Sequence, residues 1–183
     1  VAPAAIDEAR VRADAQSGDM AADEIAVLLA FLKAQTASQI LLPTQSPTKS
    51  SYIIGCDQLL LIDDHIMAKP ESLTEAKQQL LMLAGKQHGL LSAIVLIRDG
   101  QRIWHHLGRA ALTMRKFDDA FADAYIRRVG EAALWSPGAY QIESVGSSLF
   151  ARIDGDHFDI LGLPLLPLLG ILHEHGLRPL EPV

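Results

Sequence analysis

Cys56 is the only cysteine in these 183 residues, so no intrachain disulfide can form and nothing calls for an oxidising compartment. Basic residues are also sparse: 16 Lys and Arg against 22 Asp and Glu give a formal net charge of −6. With no block of positive charge along the chain, nucleic acid is not an expected partner. Long apolar runs are missing too. The longest stretches, such as Ile160 to Leu172, are interrupted by glycine and proline and fall short of the roughly 20 residues a bilayer requires, so no membrane partner is expected. The opening VAPAAIDEARVRADA has no basic segment leading into an apolar core, as a signal peptide would, and the expectation is a cytoplasmic protein. What the chain does have is core-forming material. At 49% hydrophobic residues and a mean hydropathy of +0.17, residues 1–183 are expected to fold as a single globular domain.

The segment Tyr52 to Pro70, YIIGCDQLLLIDDHIMAKP, organises the rest. An apolar run from Tyr52 to Cys56 meets Asp57 and Gln58, and Leu59 to Ile62 continue it, the pattern of a buried strand carrying a polar pair. Asp63-Asp64 suits a tight turn, after which His65 to Ala68 would return as the second arm of a hairpin ending at Lys69-Pro70. Such a fold-back could bring the Lys69 ammonium to the Asp57 carboxylate. That pairing suits chemistry on phosphate, where the acid holds a metal or orients water and the lysine neutralises phosphoryl charge. Spacing alone leaves the alternative standing, in which Asp57 caps a strand end and Lys69 is a solvated turn residue.

Taken in order, Ile6-Asp7-Glu8 leads into a charged segment, and Asp19 could cap a helix from about Ala21 to Gln39 whose Ile25, Leu28, Leu29 and Leu32 form a buried stripe. Lys33 beside that stripe reads, on spacing alone, as a snorkelling surface lysine. Residues 42–51 read as a polar loop. Ser72 with Glu75 fits a capping box for a helix to about Ala84, stopped by Gly85. His88 to Arg98 and Arg102 to Arg115 are expected to be long strands turned by Asp99-Gly100. Their adjacent His105 and His106 would point to opposite faces and so chelate nothing together. Asp118 should cap a helix through Arg128 with Phe121, Tyr125 and Val129 inward.

The last third is denser. The stretch Ser136 to Gly146 is rich in glycine and small residues, and Gly138 could let a ligand approach backbone amides. Ser147 to Ile153 should be a strand, turned by Asp154-Gly155-Asp156. Asp154, Asp156, His157 and Asp159 lack the glycine and terminal glutamate of a calcium loop, so a turn followed by a cap is expected there. Pro164 suits the first turn of a C-terminal helix ending near His175-Gly176, and His173 and His175 fall on different faces of it.

Five strings extend this reading: IGCDQ at 54–58, KP at 69–70, GAYQIESVGSSLF at 138–150, RIDGD at 152–156 and GLPL at 162–165. In this order and at these intervals they resemble the Maf family of nucleoside triphosphate pyrophosphatases, from about Pro3 to Gly176. The resemblance implies an α/β fold of the inosine-triphosphatase type, with a mixed twisted sheet and long β-hairpins flanked by helices. It implies cleavage of a modified or non-canonical nucleoside triphosphate between its α and β phosphates, with Mg²⁺ or Mn²⁺, and a homodimer. Asp57 matches the catalytic aspartate, as base toward water or carrier of the metal. Lys69 matches the lysine of a Gly-Lys-Pro signature, although Ala68 stands where the glycine would be. Glu8 matches an acidic position near metal and phosphates, Lys33 a helix lysine that reaches triphosphate, and Glu143 a Gln or Glu close to the nucleotide. Gln58 and Glu143 together resemble the branch acting on 7-methyl-GTP rather than the branch taking dTTP and UTP. A carboxylate also suits a base with donor edges or positive charge.

The chain departs from the family pattern at its start, where nothing before Ile6 has the form Ser-x-Ser-x-x-Arg-Arg. The fold of these 183 residues is therefore expected to lack the first strand and its phosphate loop, and their activity to be reduced. The alternative function is a catalytically impaired, Maf-like nucleotide-binding protein regulating septum formation or cell division.

Overall fold

The computed structural model describes residues 6–41 and 50–178, so most of the polar loop expected at 42–51 lies outside the described residues. Helix α1 (Glu8–Ser17) begins at Asp7, whose side chain accepts a hydrogen bond from the Arg10 amide at 3.0 Å. Only Ala15 of this helix is buried, so α1 lacks the apolar stripe that periodicity detects, and the charged segment after Ile6 gives no helical signal. Asp19 does not cap the next helix: it stands in a left-handed turn at φ 57°, and the Ala21 amide is met instead by Glu24 Oε2 at 3.2 Å.

Helix α2 (Ala22–Leu41) is long and apolar enough, by length and composition, to cross a membrane, which reading only uninterrupted apolar runs overlooks. Its Ile25, Ala26, Leu29, Ala30 and Ala34 are at most 1% exposed, the burial of a core helix.

The strands are β1 (Tyr52–Ile62), β2 (His65–Met67), β3 (Gln87–Arg98), β4 (Gln101–Met114) and β5 (Phe150–Asp154), in the sheet order β2-β1-β3-β4-β5. The α/β class expected from the sequence is thus observed. Asp63 and Asp64 both take positive φ, 47° and 64°, the backbone of a type I′ hairpin, and the antiparallel register Leu60 to Met67, Leu61 to Ile66 and Ile62 to His65 follows from it. Asp99 and Gly100 (φ 50° and 84°) turn β3 into β4 the same way. Strand β5 pairs antiparallel with β4, and starts later than expected because residues Val145–Leu149 wind into a 3-10 turn.

The chain divides into two compact units. One holds the described residues up to Gln58, Ser92–Gly108 and those from Asp156 on, with α5 (His157–Ile160) and α6 (Leu165–Glu174). Its core joins Ile25, Leu29 and Ala30 to Ile53 and to Ile94, Val95, Leu96 and Ile97 of β3. Each fully buried Leu or Ile contributes about 1.5–3 kcal/mol. Asp156 caps α5 by accepting from the Phe158 amide at 2.8 Å, as the turn-and-cap reading anticipates.

The other unit holds Leu59–Leu91 and Arg109–Gly155, including α3 (Leu73–Leu83) and α4 (Asp119–Val129). Ser72 caps α3 through the Glu75 amide, while the Glu75 carboxylate reaches back to the Glu71 amide at 2.8 Å. Asp118 caps α4, but Phe121 is 43% exposed and Ala122, Tyr125 and Ile126 form the inner face. Phe121 leans on Phe117 instead, with ring centroids 5.1 Å apart. Lys77 ties the two helices together, lying 2.8 Å from Asp119 and 2.7 Å from Asp123.

Candidate functional site

Three charged side chains from three elements meet in the first unit, and the reason is steric. Gly55 in β1 leaves room for α2 to approach: a Cβ there would lie 2.2 Å from the Ala30 carbonyl oxygen and 2.7 Å from Ala34 Cβ. Side chains two apart in a strand share a face, so Asp57 looks toward the same helix as Gly55. Lys33 lies one turn beyond Ala30 on that helix face. Its Nζ therefore donates a hydrogen bond to Asp57 Oδ1 and pairs with Glu8 Oε1 of α1 at 2.8 Å.

Burial sets the electrostatics of this cluster. Asp57 keeps 5% of its side-chain surface exposed, against 25% for Lys33 and 30% for Glu8. Burial raises the Asp57 pKa above the usual aspartate value, more than the hydrogen bond and charge of Lys33 lower it. For Lys33 burial works the other way, but the hydrogen bonds and charges of Asp57 and Glu8 outweigh it and hold the ammonium above the ordinary lysine value. Burial also pushes the neighbouring Cys56 thiol up to about 11, so it stays protonated at neutral pH.

The structure thus joins Glu8, Lys33 and Asp57, three of the residues singled out in the sequence, and replaces the snorkelling reading of Lys33 with an ion pair at the sheet. Gln58 follows Asp57 in β1 and leaves on the opposite face. Its Nε2 donates to Ser92 Oγ at 2.8 Å and to the carbonyls of Asp159 and Ile160 at 3.0 and 3.1 Å, and Ser92 Oγ donates to the Asp159 carbonyl at 2.5 Å. Backbone carbonyls only accept, which fixes the amide orientation. Asp159 is held above the usual carboxylate range by burial and by the charge of Asp156.

Lys69, Gly138 and Glu143 belong to the second unit. Lys69 is exposed just after β2, and Glu143 is exposed. Gly138 is buried, its amide donates to Gln79 Oε1 at 2.9 Å, and an added Cβ would meet Tyr140, Leu60 and Leu83 within 3.0 Å. Gln79 in turn donates to the Ala68 carbonyl at 3.0 Å, linking the residue before Lys69 to the glycine-rich stretch.

Sequence reasoning missed Arg12. It stands one turn after Glu8 on α1, and its charge acts on Asp57. The signal for it was a basic residue four positions after an acidic one, which counts only once the segment is known to be helical.

The fold and this cluster define an α/β domain with two carboxylates, one of them buried, converging on a shared ammonium. The chain belongs to the Maf family: the model for Maf-like proteins matches residues 1–175. It is 45% identical over 171 residues to a nucleoside triphosphate pyrophosphatase of Rhodospirillum rubrum, covering 93% of this chain and 81% of that protein. It is 44% identical over 174 residues to a 7-methyl-GTP pyrophosphatase of Rhizobium etli, covering 95% and 84% respectively. A 7-methyl-GTP pyrophosphatase of Brucella abortus is 45% identical over 171 residues, covering 93% and 82%.

Proposed function

We propose that the chain is a nucleoside triphosphate pyrophosphatase acting on 7-methyl-GTP. The observation that carries the reading is the buried Asp57 carboxylate hydrogen-bonded to Lys33, in a Maf chain 44–45% identical to proteins of that activity. Water adds to the α-phosphorus, the bond from that phosphorus to the bridging oxygen breaks, and pyrophosphate leaves with the bridging oxygen. Asp57 accepts the proton of the attacking water, a role that its raised pKa favours by making it a better base. Lys33, held charged beside it, offers its ammonium to the phosphoryl oxygens as their charge develops.

The donor set also fits a divalent cation. Magnesium is held by one or two carboxylates together with substrate phosphates, and Glu8 and Asp57 already gather around a positive group. These two would hold the ion, which when bound polarises the phosphoryl group and neutralises its charge.

Turnover of 7-methyl-GTP and dTTP side by side with Mn²⁺, with products separated chromatographically, tests the reading. The expected result is 7-methyl-GMP and pyrophosphate in equimolar amounts. Preference for dTTP overturns the substrate assignment, and release of single phosphates overturns the reaction.

A further inference from the structure

Helix α1 carries Glu8 and Arg12 four residues apart, so the two side chains share one face of the helix. Glu8 on that face reaches Lys33 at 2.8 Å, and Lys33 holds Asp57. Arg12 stands one turn further along the side of α1 that meets this cluster. Its neighbour Arg10 is solvated, with a side chain 79% exposed and Asp14 3.7 Å away. Arg12 is half-buried, yet it makes no hydrogen bond or ion pair with any described residue. Within the cluster the lysine is already engaged by two carboxylates, which leaves Arg12 as the cation with its donors uncommitted.

A guanidinium has five N–H donors in a rigid fork and accepts nothing, a geometry that matches phosphate oxygens two at a time. Holding such a group half out of water without an acceptor is unfavourable, and an arriving phosphate removes that penalty. We propose that Arg12 binds the phosphate tail of the nucleotide and holds the pyrophosphate portion as it leaves. This rests on the pyrophosphatase reading above and adds to it a phosphate ligand on α1, a helix that none of the five family strings touches.

The test is calorimetric titration of inorganic tripolyphosphate into the full chain, in EDTA so that no divalent ion takes part, for the wild type, Arg12→Gln and Arg12→Lys. Loss of charge-assisted hydrogen bonds predicts about 10- to 100-fold weaker binding by the glutamine variant. The lysine variant recovers part of the affinity, because it restores the charge but not the fork. With nucleotide and Mn²⁺, KM should rise by a similar factor in Arg12→Gln while the apo melting temperature stays at the wild-type value. Wild-type tripolyphosphate affinity in Arg12→Gln, or no binding by the wild type, overturns the inference. Should the glutamine variant misfold, the Arg12→Lys titration decides: undiminished affinity there refutes a bidentate contact. Because the binding readout needs no turnover, a chain that binds tripolyphosphate through Arg12 but cleaves no nucleotide keeps this inference and loses the preceding one.

Discussion

His88 gives the sharpest stability prediction. It lies in β3 at 3% exposure, its Nε2 2.8 Å from the Tyr140 hydroxyl, among the rings of Tyr140 and Phe150, while its Nδ1 is buried without a hydrogen-bond partner among the described residues. Burial lowers its pKa from 6.5 to about 4, so the folded chain keeps the ring neutral where the unfolded chain protonates it. The stabilisation is present above pH 6.5 and is lost as pH falls through the folded value of about 4. Proton linkage with these two values costs about 2 kcal/mol between pH 7 and pH 5, and about 3 kcal/mol by pH 4. For a chain of this size, 2 kcal/mol corresponds to a fall in melting temperature of roughly 4–8 °C. The control is the double variant His88→Phe with Tyr140→Phe, which removes the titrating ring and also the hydroxyl that would otherwise be left unpaired. Urea unfolding at pH 7, 6 and 5 should show the wild type losing about 2 kcal/mol more than the double variant. Parallel losses in the two proteins would refute the assignment of the acid sensitivity to His88. The raised pKa of Asp57 acts in the opposite sense, stabilising the fold below the unfolded aspartate value and losing that contribution as pH rises through its folded value. It is present in both proteins and drops out of the comparison.

Three further outcomes follow from the geometry. Asp57→Asn should lower pyrophosphate release by at least ~100-fold while circular dichroism and melting stay close to wild type, since Lys33 retains Glu8; residual activity near wild type would remove Asp57 from the chemistry. Gly55→Ala places a methyl carbon 2.2 Å from the Ala30 carbonyl oxygen, and a loss of about 3 kcal/mol in urea unfolding is expected, with an unchanged midpoint counting against the close contact. Gln58→Leu leaves Ser92 Oγ and the Ile160 carbonyl without their donor, while the Asp159 carbonyl keeps that of Ser92, at a cost of about 2 kcal/mol, and should leave the ratio of 7-methyl-GTP to dTTP turnover unaltered; a changed ratio would show that the amide reads the base.

Most of the architecture could be read from the residues because local rules settle it. The two hairpin turns needed successive residues tolerant of positive φ, and Asp63-Asp64 and Asp99-Gly100 supplied them; Ser72, Asp118 and Asp156 advertised their caps. What failed depended on tertiary burial. Phe121 looked inward because it is large, yet the small Ala122 occupies the inner face of α4, and α1 was hidden because it buries a single alanine.

The candidate site shows the same division at closer range. Asp57 and Gln58 are one motif in the sequence, but strand alternation sends them to opposite faces of the sheet, where one meets α2 and the other the carbonyls of α5. Lys33 lies 24 residues from Asp57 along the chain, and no spacing rule links them. Their contact follows from Gly55, which has no side chain to hold Ala30 and Ala34 away. A glycine two positions before the carboxylate therefore determines which ammonium the carboxylate meets. Moving α2 outward by the width of one methyl group should weaken the Lys33 pair along with the core. Gly55→Ala consequently carries a second expectation: where the variant still folds, its pyrophosphate release should fall together with its stability, and a destabilised but fully active variant would show that the chemistry does not depend on this helix contact.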